Sequence, residues 1–209
     1  LGLWVGRPLE KPGSRPLEFE HTQDVGSCLV DWPVDHCIKC LAFYHPDDPA
    51  ALKQQQLTKY RQLYEAARKV GRELLIEIIA GKHGPLDRTT IARAMQEIYD
   101  LGIKPDWWKL EPQADPSAWD EIGKTIDRND PLCRGIVLLG LEAPEEELAK
   151  GFKAVAAKRH VKGFAVGRTI FNDAARAWLA GTIDDASAIT MMAEKFADLV
   201  RIWDDARRA

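Results

Sequence analysis

Two lysines and two glutamates sit where a purely structural strand would carry apolar side chains. Lys39 lies within CIKCLAF, Glu77 within LLIEII, and Lys109 and Glu111 within WWKLE. Such residues are almost never buried without a partner or a task. Lys109 and Glu111 are two apart, so on a strand they project from one face. Two readings are open. The four could be buried ion pairs, Lys109 with Glu111 and Lys39 with Glu77, each mutually satisfied. Or they could form a site, because burying these ions costs several kcal/mol each unless they are paired, a cost that apolar residues would avoid. The chemistry of such a site is specific. A lysine in an apolar wall beside a second ammonium has its pKa pushed down by desolvation and like-charge repulsion. Its neutral amine attacks a ketone to form a Schiff base, and a nearby glutamate shuttles protons. The protonated imine then draws in the electrons of a breaking carbon–carbon bond, and no metal or other cofactor is called for.

A further cue is VGRTIF, where Gly167 and Arg168 follow an apolar run and precede a helical one. A helix N-terminus offers backbone N–H groups and a positive dipole end, and a guanidinium adds donors in a fork. Phosphate suits that setting. The same dipeptide is also an ordinary strand-to-helix turn.

These residues need a frame that aims them together. From Cys37 onward one pattern recurs: a short apolar run, a polar loop, a capped helix. HCIKCLAFY (36–44) reads as a strand, followed by HPDDP, where Asp48 is placed to cap a helix with Pro49 at its first position. Leu57, Tyr60, Leu63, Tyr64 and Ala67 keep helical spacing up to Gly71, a natural terminator. ELLIEIIA (73–80) is the next strand, with a helix over 89–101 closed by Gly102. WWKLE (107–111) is a strand, and Asp115-Pro116 starts a helix. GIVLLG (135–140) is a strand, with a helix opened by Pro144 and reaching about 158. VKGFAVG (161–167) is the last strand, followed by helices over 169–180, ended by Gly181, and 185–207. LGLWVG (1–6) reads as one more strand, Arg7 to Pro16 as a loop, and Asp31-Trp32-Pro33 as the start of a short helix.

Consecutive β-α units with nearly all-apolar strands imply a parallel sheet covered by helices. The expected fold class is α/β: a TIM-type (β/α)8 barrel, incomplete, with about six β-α units where a full barrel has eight. The chain reads as a single barrel domain over 1–209. Its strand at residue 1, with no lead-in, gives the expectation that it is the C-terminal part of something longer. An open doubly wound sheet would carry a G-x-G-x-x-G turn, and none is found. In a barrel, the site forms at the C-terminal strand ends, and phosphate sites lie after the last two strands.

The remaining features narrow the class. At 209 residues with 45% hydrophobic and 29% charged residues, the chain has the composition of a globular domain. Net charge is −3, with no basic stripe, so nucleic acid is not the expected partner. No apolar run approaches the ~20 residues that span a bilayer, so no membrane partner is expected and a cytoplasmic location is. Cys37 and Cys40 form a C-x-x-C beside His36. A zinc site needs about two more ligands at comparable spacing, and residues three apart on a strand face opposite ways. Cys37 and Cys40 are expected as buried free thiols, with a redox pair or a metal site as the alternatives, and four cysteines (Cys28, Cys37, Cys40 and Cys133) without a disulfide framework suit a reducing compartment. His36, His45, His83 and His160 form no ligand pattern.

WVGRPLEKPGSRPLEFE, KCLAFYHPDDP, LLIEII, PDWWKLEP, CRGIVLLGLEAP and VKGFAVGRTIF together span nearly the whole chain. In these stretches the chain resembles the aldolase-like C-terminal domain of bacterial bifunctional proteins of myo-inositol breakdown, in which a ribokinase-type 5-dehydro-2-deoxygluconokinase domain comes first. More distantly, KCLAFY, LLIEII, WWKLEP and GFAVGRTIF are similar to strand motifs of class I tagatose-1,6-bisphosphate aldolase. The resemblance implies that Lys109 forms the Schiff base, that Lys39 and Glu77 stand beside it, and that Arg168, after Gly167, binds phosphate, with Glu111 among the substrate contacts. It implies 2-deoxy-5-keto-D-gluconate 6-phosphate as substrate, cleaved to dihydroxyacetone phosphate and malonate semialdehyde, and a kinase domain as partner in the parent chain. A homo-oligomer is compatible with it.

The chain also departs from that pattern. The first two β-α units of the family barrel have no counterpart, and Leu139-Gly140-Leu141 stands where relatives place a small polar residue. A non-catalytic module that binds a sugar phosphate and regulates a carbohydrate kinase is the alternative, and a metal-dependent aldolase or isomerase is a third reading.

Overall fold

A parallel strand needs a crossover of a dozen or more residues before the next can join it, and the chain places a helix in each such interval. The computed structural model describes residues 2–20, 24–113, 115–140 and 143–208. Among these, the order is β1 (Val5–Pro8), α1 (Val25–Val30), β2 (His36–Ala42), α2 (Ala50–Lys69), β3 (Leu74–Ile78), α3 (Thr90–Asp100), β4 (Trp107–Leu110), α4 (Ser117–Asn129), β5 (Gly135–Leu139), α5 (Glu145–Val155), β6 (Val161–Ala165), α6 (Arg168–Leu179) and α7 (Asp185–Arg208). The six strands form one sheet in chain order. This is an α/β fold consistent with an incomplete TIM-type barrel. No described helix is long and apolar enough to cross a membrane.

The chain divides into two units, Leu1–Ile136 and Val137–Ala209. In the first, β1 to β4 pair in parallel. Every residue of β3 is buried, as befits a strand covered on both faces. α2 buries Gln56, Tyr60, Leu63 and Ala67, while Leu57 and Tyr64 are half-buried at the margin of that face. It ends where Gly71 takes a φ of +64°, and α3 ends likewise at Gly102, φ +76°, a backbone region that favours glycine. The second unit packs Phe152 of α5 against Phe164 of β6 at 4.8 Å and against Trp203 of α7 at 5.4 Å between ring centroids.

Several local expectations change. The first strand is Val5–Pro8 rather than 1–6, so it takes in Arg7 and Pro8, and all its residues are exposed; Leu1 lies outside the described residues. The short helix precedes Asp31 instead of following it, because Asp24 accepts from the N–H groups of Gly26 and Ser27 and caps α1. Asp48 does not cap α2. Its carboxylate is taken by the Arg15 guanidinium and by the N–H of His45 at 3.0 Å, so α2 starts at Ala50 with Pro49 as its N-cap, rather than its first residue, and without a side-chain cap. Of the Leu139-Gly140-Leu141 stretch, Leu141 lies outside the described residues, and a Cβ at Gly140 would stand 2.9 Å from Val166 Cγ1, which leaves no room for a side chain.

Candidate functional site

Strand register brings three of the expected residues together. Glu77 on β3 stands opposite Lys109 on β4. Across β2, Leu41 stands opposite Glu77 and Lys39 one pleat earlier, opposite Leu75. A lysine stem spans that diagonal, and Lys39 Nζ lies 2.8 Å from Glu77 Oε2. Lys109 Nζ lies 3.2 Å from Glu77 Oε1. One carboxylate thus stands between two ammonium groups from the strands on either side. The Glu77 side chain is 5% exposed, against 19% for Lys39 and 18% for Lys109, so the glutamate is nearly sealed while both lysine side chains stay partly open.

β4 presents Lys109 to this cluster because its other face is anchored. Trp108 is fully buried, and its Nε1–H donates to the Tyr99 hydroxyl of α3 at 2.8 Å. At the start of the strand, the Trp107 indole donates to Glu73 at 3.0 Å. With Trp108 fixed toward α3, strand alternation turns Lys109 the other way.

A fourth member was not read from the sequence. Glu10, in the segment after β1, forms an ion pair with Lys39 and is 7% exposed. The segment is folded onto the sheet: Leu9 N–H donates to Lys39 O at 3.1 Å, Glu20 N–H donates to Leu9 O at 2.9 Å, and Glu10 bridges Phe19 in antiparallel fashion. Its proline and glycine content reads as open loop. The sequence carried no charge imbalance to point to it, because Glu111 stood as the second carboxylate; only with Glu111 engaged by Ala80 and Gly81 do Lys39 and Lys109 against Glu77 call for one more. Burial alone would push the Lys39 amine down, but the charges of Glu77 and Glu10 outweigh it and hold Lys39 above the ordinary lysine value. The expectation of a lysine pushed down by a second ammonium is therefore reversed at Lys39, because Glu77 stands between the two.

Glu111 does not pair with Lys109. Its Oε1 accepts from the N–H groups of Ala80 at 2.7 Å and Gly81 at 3.0 Å, just past β3. Burial holds its carboxyl above the usual carboxylate range, and those two hydrogen bonds offset only part of the effect. Nearby, His45 is buried as a structural histidine: its Nδ1 accepts from Asp47 N–H at 3.2 Å, which leaves Nε2 to donate to Pro85 O at 3.1 Å.

Gly167 and Arg168 belong to the second unit. Gly167 is the N-cap of α6 and Arg168 its first residue, and both are exposed. The strand–glycine–arginine–helix arrangement is therefore formed. Cys37 and Cys40 are buried free thiols, as expected, while Cys28 and Cys133 are only half-buried. Burial drives the Cys37 thiol up to about 12 and pushes Cys40 up as well.

Comparison with known proteins bears on both family and fold. The sequence profile of the family described as "Uncharacterized protein conserved in bacteria (DUF2090)" matches residues 1–207. No curated protein matches the chain in sequence. Among solved structures, Cgl0159 from Corynebacterium glutamicum is similar with a TM-score of 0.61 at 18% identity, over 92% of this chain and 63% of that one. A fructose-bisphosphate aldolase from Slackia heliotrinireducens is similar with a TM-score of 0.57 at 15% identity, over 93% of this chain and 67% of that one. At these identities the likeness is one of fold alone. The chain spans about two thirds of the length of either structure.

Proposed function

The chain belongs to the DUF2090 family, and within it we propose a class I, Schiff-base aldolase, a carbon–carbon lyase acting on a phosphorylated keto-sugar acid. The observation that supports this reading is the one nearly sealed glutamate, Glu77, between the part-open side chains of Lys39 and Lys109.

The proposed steps use that geometry. Lys109 passes a proton to Glu77 across their 3.2 Å contact and becomes a neutral amine. Its nitrogen adds to the C5 ketone of 2-deoxy-5-keto-D-gluconate 6-phosphate, the substrate proposed from the sequence resemblance. The nitrogen proton moves to the new oxygen to give the carbinolamine. Glu77 returns its proton to that hydroxyl, water leaves, and an iminium remains on Lys109 with Glu77 again a carboxylate. Glu77 then takes the C3 hydroxyl proton and the C3–C4 bond breaks. Its electron pair passes to the iminium nitrogen through the new enamine, and malonate semialdehyde departs. Glu77 protonates C4, and hydrolysis of the iminium releases dihydroxyacetone phosphate. Throughout, Lys39 faces Glu77 as a fixed positive charge. Gly167 and Arg168 are proposed as phosphate contacts and Glu111 as a substrate contact, on the resemblance. A kinase domain in the parent chain and a cytoplasmic setting belong to the same proposal.

The test is cleavage by the purified chain, followed by coupled reduction of dihydroxyacetone phosphate. Lys109→Ala is expected to lose roughly a thousandfold or more. Full activity in Lys109→Ala would overturn the proposal and favour a non-catalytic sugar-phosphate-binding module.

A further inference from the structure

The two lysines of the cluster are not held alike. Among the described residues, Lys39 is gripped by two carboxylates, Glu10 and Glu77, whereas Lys109 pairs with Glu77 alone, at 3.2 Å. We infer that Glu10 is a positioning residue that reserves Lys39 as the permanent ammonium of the cluster, so that Lys109 is the amine that gives up its proton and reacts. The inference deepens the Schiff-base reading and rests on it.

The argument is one of charge balance. Lys39, Lys109, Glu10 and Glu77 together are neutral. Moving a proton from Lys109 to Glu77 leaves a neutral amine and a neutral carboxyl, and the pair that remains, Lys39 with Glu10, is matched and in contact. Moving the proton from Lys39 to Glu77 instead leaves the Glu10 carboxylate against a neutral amine and the Lys109 ammonium against a neutral acid. Both are then uncompensated ions, and buried ions of that kind are strongly disfavoured. Without Glu10 the two routes become nearly equivalent. Glu10 relies on Lys39 as its charge partner: among the described residues its second oxygen, Oε2, is buried with no hydrogen-bond partner.

Two further titratable groups lie within reach of the charges of Glu10 and Glu77 and do not alter the balance. Cys40, next to Lys39 on β2, and Tyr60, on α2, are both held in their neutral forms by burial. The net effect of Glu77 and Glu10 on Lys39, to hold it above the ordinary lysine value against burial, runs the same way.

Competitive acetylation with acetic anhydride over a pH series, read by peptide mass, tests this without substrate. The side chains of Lys39 and Lys109 are 19% and 18% exposed, so a difference in labelling reports protonation rather than access. In the wild type, Lys109 is expected to label at lower pH than Lys39. In Glu10→Gln, Lys39 is expected to label several-fold faster at about pH 9, approaching Lys109. Glu10→Asp, which keeps the charge, is expected to retain the wild-type order. The inference is overturned if wild-type Lys39 labels as readily as Lys109, or if Glu10→Gln leaves the Lys39 rate unchanged. Should Glu10→Gln fail to fold by circular dichroism, the wild-type order and Glu10→Asp still decide. Failure of the wild type to form any imine would sink the aldolase reading alone. An imine on Lys109 with unchanged labelling in Glu10→Gln would sink this inference alone.

Discussion

Replacing Glu77 by glutamine keeps the shape and one acceptor oxygen but removes the charge on which two lysines depend. Glu77 lies 2.8 Å from Lys39 Nζ and 3.2 Å from Lys109 Nζ. At an effective dielectric of about 20, one such contact amounts to about 5 kcal/mol of Coulomb energy. Desolvation offsets much of this in the intact cluster. The cost of breaking it is set instead by the stranded charge, since Glu77→Gln leaves two ammonium groups sharing Glu10. Loss of one partner from a buried pair costs about 3–5 kcal/mol, and that is the expected loss in urea unfolding at neutral pH. Adding Lys109→Met returns the cluster to one matched pair, Lys39 with Glu10. The double variant should therefore recover part of the loss, with a coupling of about 1–3 kcal/mol between the two changes. A loss below about 1 kcal/mol in Glu77→Gln, or no recovery on adding Lys109→Met, would refute the reasoning. Either would mean that the amines turn outward and the cluster is held by solvent rather than by charge.

Three further outcomes are expected. Burial holds the Glu111 carboxyl above the ordinary value of 4.5, so its ionisation opposes folding increasingly as pH rises through that value. Glu111→Gln should accordingly match or exceed wild-type stability at neutral pH and lose that advantage in acid, whereas Glu111→Ala, which strands the N–H groups of Ala80 and Gly81, should cost about 1–3 kcal/mol; urea midpoints at acid and neutral pH check both. At the start of α3, Asp87 accepts from Thr89 N–H and from the hydroxyls of Thr89 and Thr90, which lower its carboxyl from 3.8 to about 2. Its stabilising contribution is therefore present above 3.8 and lost as pH falls through about 2, a loss that melting curves should show in the wild type and not in Asp87→Asn. Cys28 and Cys133, half-buried, should react with a thiol reagent in the native state while Cys37 and Cys40, both buried, react only on unfolding, as mass spectrometry of the labelled chain would show.

The legible parts of the fold were those fixed by local pattern. GIVLL is apolar throughout, and LLIEI is apolar but for Glu77, because both faces of those strands are covered, and Gly71, Gly102 and Gly181 end helices because each takes a positive φ. Single-strand alternation likewise placed Lys109 and Glu111 on one face. What one strand cannot reveal is register with its neighbours. The pairing of Glu77 with Lys109, rather than of Lys109 with Glu111, follows from that register alone. Asp48 looked like a cap, yet a guanidinium distant in sequence, that of Arg15, takes its carboxylate. Glu10 was hidden for the same reason: it sits in a proline-rich segment, and its task appears only when Lys39 is brought beside it.

The central claim, that Lys109 is the imine-forming amine, is tested most directly by mixing the chain with dihydroxyacetone phosphate, reducing with borohydride and mapping the modified peptide by mass. One adduct, on Lys109, is the expected result. An adduct on Lys39 in its place, or none on either lysine, would contradict it.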